Sequence, residues 1–235
     1  MVELTQAITQ SQVYGATDRH IVWLSEHVGV HRDMQKPWQQ LVDAASEAGF
    51  ELAIASGFRS FQRQQTIWER KLAGLLPVLD SAGESIDISH ESPLAQAHAI
   101  LRWSALPGAS RHHWGTDVDI FDKAAIPKGY QLQLNPSEYT GDGVFAPLCR
   151  WLQEYLSQSA SPEFFLPYQT DSGGIAVEPW HISYRPLAQL YQTKWSALGC
   201  CDQLNNWQHS HSQVLINDID ALYDRYIKSS LIVPA

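Results

Sequence analysis

The chain has 235 residues, 44% hydrophobic and 17% charged, with nine Trp, nine Tyr and seven Phe. That is the composition of a folded domain with a sizeable core and argues against a disordered chain. The formal net charge of −9 withholds the basic footprint that a nucleic-acid partner requires, and no stretch approaches the ~20 apolar residues of a membrane span. The first 25 residues show no basic segment followed by an apolar run, so no secretory leader is visible. Cys149, Cys200 and Cys201 are odd in number and two are adjacent, which suits buried thiols in a reducing compartment better than a disulfide framework. The expected location is the cytoplasm, or the periplasm if a leader precedes this sequence.

In chain order, the pattern predicts helices over 17–28 and 36–49. In the second, Trp38, Leu41, Val42, Ala45 and Ala48 recur at helical spacing before Gly49. FELAIASGF (50–58) reads as a buried strand running into a turn. A Ser-started helix over 60–74 follows, with Ile67, Trp68 and Leu72 facing inward. Residues 77–93 read as a loop and 94–104 as a helix. DVDIF (117–121) reads as a strand with Asp117 and Asp119 on one face and Val118 on the other. A second loop over 123–143 precedes a helix over 144–158 with Leu148, Trp151, Leu152 and Tyr155 on its apolar face, then strands at roughly 163–168 and 174–184. The remainder reads as helical, from Pro186 to about Leu198 and from about 206 to 228, with His209 and His211 exposed. Helices followed by strands separated by helices and long loops suggest an α+β fold, with a mainly antiparallel central sheet flanked by helices.

The chemistry gathers in two short stretches, SRHHWGTDVDIFD (110–122) and EPWHISY (178–184). His112, Asp119 and His181 supply two imidazoles and a carboxylate, a three-ligand set that leaves a zinc ion open to water; manganese and iron accept similar sets. Gly115 offers a turn that brings His112 back over the strand carrying Asp119. Glu178, three residues before His181, would face away from it in a regular strand, so the chain must bend there, and Pro179 makes that bend plausible. A glutamate beside such a centre is the usual general base. The alternative is that each histidine is an ordinary hydrogen-bonded residue, and no H-E-x-x-H helix is present.

Three motifs in order decide between these readings. SGFRSFQRQ (56–64), PGASRHHWGTDVDI (107–120) and EPWH (178–181) resemble the D-alanyl-D-alanine carboxypeptidase family of zinc peptidases. That family includes vancomycin-resistance D,D-carboxypeptidases, D,D-dipeptidases and phage L-alanyl-D-glutamate endopeptidases. The resemblance covers about 36–185 and implies that His112, Asp119 and His181 bind Zn2+ in a cleft on the sheet. It also implies that Glu178 is the catalytic base, that Arg59 stabilises the oxyanion, and that Ser110 contacts the substrate carboxylate. Without the resemblance Arg59 reads as a surface salt bridge and Ser110 as a loop hydroxyl.

Asp117 departs from the family pattern, which commonly has alanine there. Strand alternation points it to the Asp119 side, to contact substrate, orient a histidine ligand or fill a modified pocket, and its charge is expected to strengthen metal binding. His113 reads as a cleft-wall or supporting residue. The expected organisation is an N-terminal helical segment (1–35), a zinc-peptidase core (36–185) and a C-terminal helical extension (186–235). The implied activity is carboxypeptidase or dipeptidase hydrolysis of D-amino-acid cell-wall peptides of the D-Ala-D-Ala type, with a small peptide as partner. The alternatives are an L-alanyl-D-glutamate endopeptidase and a non-catalytic cell-wall peptide-binding module; the presence of Glu178 argues against the latter.

Overall fold

The structure, a computed structural model, describes residues 7–158 and 162–228. A one-turn helix α1 (Gln10–Val13) precedes a hairpin of β1 (Ile21–Trp23) and β2 (Gly29–His31). Then come α2 (Gln35–Glu47), β3 (Leu52–Ser56), α3 (Phe61–Leu72), a small hairpin of β4 (Val78–Leu79) and β5 (Ser85–Ile86), and α4 (Pro93–Leu101). β6 (Asp117–Asp122), α5 (Pro136–Tyr139), α6 (Ala146–Ser157), β7 (Phe164–Phe165) and β8 (His181–Tyr184) complete the middle of the chain. Among the described residues α7 (Arg185–Gln192), α8 (Ala197–Leu204), α9 (Ser210–Asn217) and α10 (Ile219–Leu222) follow, the last running into a π-helical turn at Tyr223–Ile227.

The central sheet has the order β3-β6-β8-β7, with every neighbouring pair antiparallel. The fold is α+β. Strand alternation on β6 sends Val118 and Ile120 into an apolar layer with Leu41, Leu148, Leu152 and Ile182, which packs α2 and α6 beneath the sheet. Asp117 and Asp119 alternate to the opposite face. A second core, holding Trp68, Ile100, Trp114, Tyr191 and Leu215, joins α3 and α4 to the C-terminal helices. Each fully buried aliphatic side chain in these layers stabilises the fold by roughly 1.5–3 kcal/mol.

The helices form where spacing and caps agree. In α2, Trp38, Leu41 and Ala45 are the buried positions, one stripe at three- and four-residue intervals. Ser60 caps α3, its hydroxyl accepting from the Arg63 amide, and Trp68 is buried; Ile67 and Leu72 are only half-buried.

Several expectations are corrected, beginning with the loops over 77–93 and 123–143, which hold the β4–β5 hairpin and α5. Residues 17–28 form no helix: β-branched Ile21 and Val22 take extended backbone, and the chain reverses through a turn closed by Leu24 N–H donating to the Val28 carbonyl at 2.8 Å. The expected strand over 174–184 is regular only at His181–Tyr184. The helix after Pro186 stops at Gln192 and a new one begins beyond Ser196, whose hydroxyl accepts from the Gly199 amide. His211 is buried, with Nε2 2.8 Å from Gln96 Oε1, while His209 stacks on Trp207. Residues 1–6 and 229–235, the outer ends of the expected terminal segments, lie outside the described residues.

Candidate metal centre

Three segments converge on the polar face of the sheet. A 3-10 turn, Arg111–Trp114, carries His112 and ends at Gly115, whose φ of +70° is left-handed. A Cβ there would stand 2.4 Å from Ile21 Cδ1 and 2.9 Å from the His31 amide nitrogen, so the turn requires glycine. Asp119 lies on β6 directly opposite His181 on β8. Glu178 and His181 bracket a tight turn in which the His181 amide donates to the Glu178 carbonyl at 3.2 Å. The bend expected at Pro179 therefore puts both side chains on the same side, with Glu178 Oε2 3.3 Å from His181 Nδ1.

His112, Asp119 and His181 each offer a ligand atom within 4.8 Å of the others, and all three side chains are buried. The histidine tautomers are set from behind. His112 Nδ1 donates to the Gly57 carbonyl at 2.9 Å, which turns the Nε2 lone pair toward Asp119, 3.4 Å from Oδ2. On His181 the roles are reversed: Nε2 is engaged by Asp117 at 3.0 Å, and Nδ1 faces Asp119 Oδ1 at 3.2 Å.

The site fits a cation. Asp119 Oδ1 is buried and has no aligned hydrogen-bond donor. Arg59 Nη2 donates to His112 Nε2 at 2.8 Å and to Asp119 Oδ2 at 2.9 Å, so a positive group already rests against two of the ligand atoms. Imidazole with carboxylate in a three-donor set is suited to zinc.

Burial, reinforced by the Arg59 charge, lowers the His112 pKa to about 4 and keeps the ring neutral, the form that ligates. Burial would raise Asp119, yet its close contacts with the His112 and His181 rings hold it well below the ordinary carboxylate range. Burial likewise opposes charge on His181, but the surrounding carboxylates of Asp117, Asp119 and Glu178 raise it well above its ordinary value. Glu178 is raised chiefly by burial, against the pull of His181.

Arg59 is held by its neighbours. Its Nε donates to Ser56 Oγ at 3.0 Å and its Nη1 to Gln64 Oε1 at 3.4 Å. Its amide donates to the His112 carbonyl at 3.1 Å. His113, fully buried, has Nδ1 2.7 Å from the Arg59 carbonyl and accepts from the Gly108 amide at Nε2. It ties the arginine loop to the histidine loop rather than facing the cleft. Arg59, Trp103, Ser110, Tyr168, Ile175 and Glu178 line a narrow cleft over the centre, with room of about 30 Å³.

Asp117 differs from the expected substrate contact. Its carboxylate is fully buried, receiving Arg111 Nε at 2.6 Å, Thr116 Oγ1 at 2.7 Å and Ser183 Oγ at 3.0 Å. No face of it is open to the cleft. Its charge is balanced by Arg111, so it does not add net negative charge to the centre. Arg111, Gln64, Ser56 and Ser183 were not singled out from the sequence. Ser56 and Gln64 fall inside the first motif and Arg111 inside the second, which was their available signal; nothing in the spacing pairs Arg111 with Asp117.

A family model described as VanY, D-alanyl-D-alanine carboxypeptidase, matches residues 27–187. An uncharacterised protein of Haemophilus influenzae is 38% identical over 124 residues, 52% of this chain and 92% of its own length. A D-alanyl-D-alanine carboxypeptidase of Enterococcus faecalis is 31% identical over 146 residues, 62% of this chain and 44% of that longer protein. Among solved structures, VanYB in complex with D-alanine-D-alanine aligns with a TM-score of 0.50 and 25% identity, covering 80% of this chain and 90% of that one. The matched span contains all three motifs and both arms of the cation site, and by it this chain belongs to the VanY D-alanyl-D-alanine carboxypeptidase family.

Proposed function

We propose that this chain is a zinc-dependent D,D-carboxypeptidase or dipeptidase that hydrolyses the terminal bond of small cell-wall peptides of the D-Ala-D-Ala type. The observation that carries the reading is the buried His112–Asp119–His181 group with Glu178 at its edge, 3.3 Å from His181. The substrate class is supported by the family and by the ligand of the VanYB relative.

Zinc held by His112, Asp119 and His181 would supply a Lewis acid and lower the pKa of water toward ~7. Glu178 takes the proton from the attacking water as its oxygen bonds to the scissile carbonyl carbon. It then delivers that proton to the amine as the carbon–nitrogen bond breaks, so hydrolysis balances with one water consumed. The pKa of Glu178, raised by burial, suits a carboxylate that must accept and then return a proton. Arg59 brings a guanidinium to the developing oxyanion, where a preorganised cationic fork is most effective. Ser110, buried on the cleft wall, is proposed to meet the substrate carboxylate.

Synthetic stem peptides ending in D-Ala-D-Ala, the free dipeptide, and a peptide carrying an L-Ala-D-Glu bond, each assayed with and without chelator, test this. Chelator-sensitive release of D-alanine is the expected result. Cleavage only at L-Ala-D-Glu would reassign the bond, and tight peptide binding without turnover would make the chain a binding module.

A further inference from the structure

Asp117 and Arg111 form an ion pair in which neither side chain has any exposed surface. Burying two charges this way carries a large desolvation cost and is weak evidence of a stabilising role. The placement of the pair points elsewhere. On β6 and β8, Asp117 is registered opposite Ser183 and Asp119 opposite His181, so the two aspartates flank the His181 ring from one strand. Asp117 Oδ1 lies 3.0 Å from Nε2, while Asp119 Oδ1 lies 3.2 Å from Nδ1.

Arg111 fixes the carboxylate that does this. Its Nε donates to Asp117 Oδ1 at 2.6 Å and its Nη2 to Ser183 Oγ at 2.7 Å, and Ser183 Oγ in turn donates to Asp117 Oδ2 at 3.0 Å. Thr116 Oγ1 supplies a further donor to Oδ2 at 2.7 Å. Both carboxylate oxygens are thus held, leaving Asp117 one acceptor direction aimed at His181. The guanidinium is itself packed against the Trp114 and Phe165 rings.

We propose that Asp117, charge-balanced by Arg111, is a positioning residue that holds His181 with its proton on Nε2, so that Nδ1 is the atom presented to the metal. This rests on the zinc-peptidase reading above. A carboxylate behind a ligating imidazole fixes ring orientation and raises ligand basicity, and loss of such a partner typically costs 10–100-fold in metal affinity.

The single variant Asp117→Ala leaves Arg111 buried without a counter-charge and is expected to fold poorly. The informative variant is therefore the double replacement Asp117→Ala with Arg111→Met, which removes both charges. Zinc affinity, read by competition with a chromophoric chelator, should fall by about 10–100-fold in a double variant that keeps its far-ultraviolet spectrum. In the zinc-loaded wild-type protein, imidazole nitrogen NMR should show His181 protonated at Nε2 and metal-bound at Nδ1, and this arm needs no variant. A folded double variant with unchanged zinc affinity, or coordination through Nε2, would overturn the positioning role while leaving the metal reading intact. A wild-type protein that takes up no zinc would sink both, and so the two failures are distinguishable.

Discussion

At the scale of the residue, the roles proposed for Glu178 and Arg59 are ones that substitution can separate. Glu178 touches His181 but is outside the His112–Asp119–His181 group. Glu178→Gln should therefore keep about one zinc per chain by elemental analysis while turnover falls by on the order of 10²–10⁴. A variant with near-normal turnover would exclude the hydrolytic role. Arg59 is anchored at Nε and Nη1 and directs Nη2 at His112 and Asp119. Its replacement by Lys supplies a point charge without the fork, so Arg59→Lys should recover little of the rate lost in Arg59→Ala, with kcat falling more than KM rises. The convergence of His112, Asp119, His181 and Glu178 was legible because whole motifs carry them. For Asp117 the sequence left substrate contact, histidine orientation and pocket filling undecided, because its partner Arg111 sits six residues away on a 3-10 turn, and neither strand alternation nor helical spacing relates the two. Alternation correctly gave Asp117 the same face as Asp119, but only the packing of Arg111 and Ser183 shows that this part of the face is closed.

At the scale of the element, the hairpin β1–β2 was misread as a helix, yet it braces the site. The Phe58 amide donates to the Gly29 carbonyl at 2.7 Å, and the His31 amide donates to the Gly115 carbonyl at 2.7 Å. It thus grips both the arginine loop and the histidine turn. Its sequence has the β-branched pair and a glycine, but no alternation long enough to mark two strands. The long helices α2, α3 and α6 and the strands β3 and β6 were legible because each has either a continuous apolar stripe or a buried run. β7 and β8 are short, and the approach to β8 is shaped by turn contacts that leave no periodic trace. The hairpin's grip makes Gly115→Ala informative. The variant must hold alanine at a positive φ, costing about 1–2 kcal/mol, and must also displace Ile21 and the His31 amide. Its melting temperature should drop by several degrees, with weakened zinc binding because the same turn sets His112. An unchanged melting temperature would mean that the turn tolerates a side chain and that the hairpin does not constrain it.

At the scale of the whole molecule, the hairpin meets the C-terminal helices along a seam of buried rings. His20 and His31 lie 5.4 Å apart between centroids, at 5.9 Å and 5.8 Å from Tyr191 of α7, which in turn stacks on Trp114 beside the metal-site turn. Burial lowers both histidines to about 4; His31 adds to the shift at His20, and the Arg32 charge adds to it at His31. The folded state therefore favours their neutral forms. Their contribution to stability is complete above the ordinary histidine value of ~6.5 and is lost progressively as pH falls from there through about 4, because the unfolded chain takes up protons first. Each ring accounts for on the order of 1–3 kcal/mol across that window. Urea melts of the metal-free protein at pH 7.5 and pH 5 should accordingly show a lower midpoint at the acid value. The metal ligands titrate too, so the seam is isolated by His20→Phe, which keeps an aromatic ring where neither imidazole nitrogen has a hydrogen-bond partner. That variant should lose less stability than the wild type between the two pH values and should retain zinc binding at pH 7.5. An equal loss in both proteins would show that the hairpin seam does not control acid unfolding and would leave the carboxylates and histidines of the metal centre as its source.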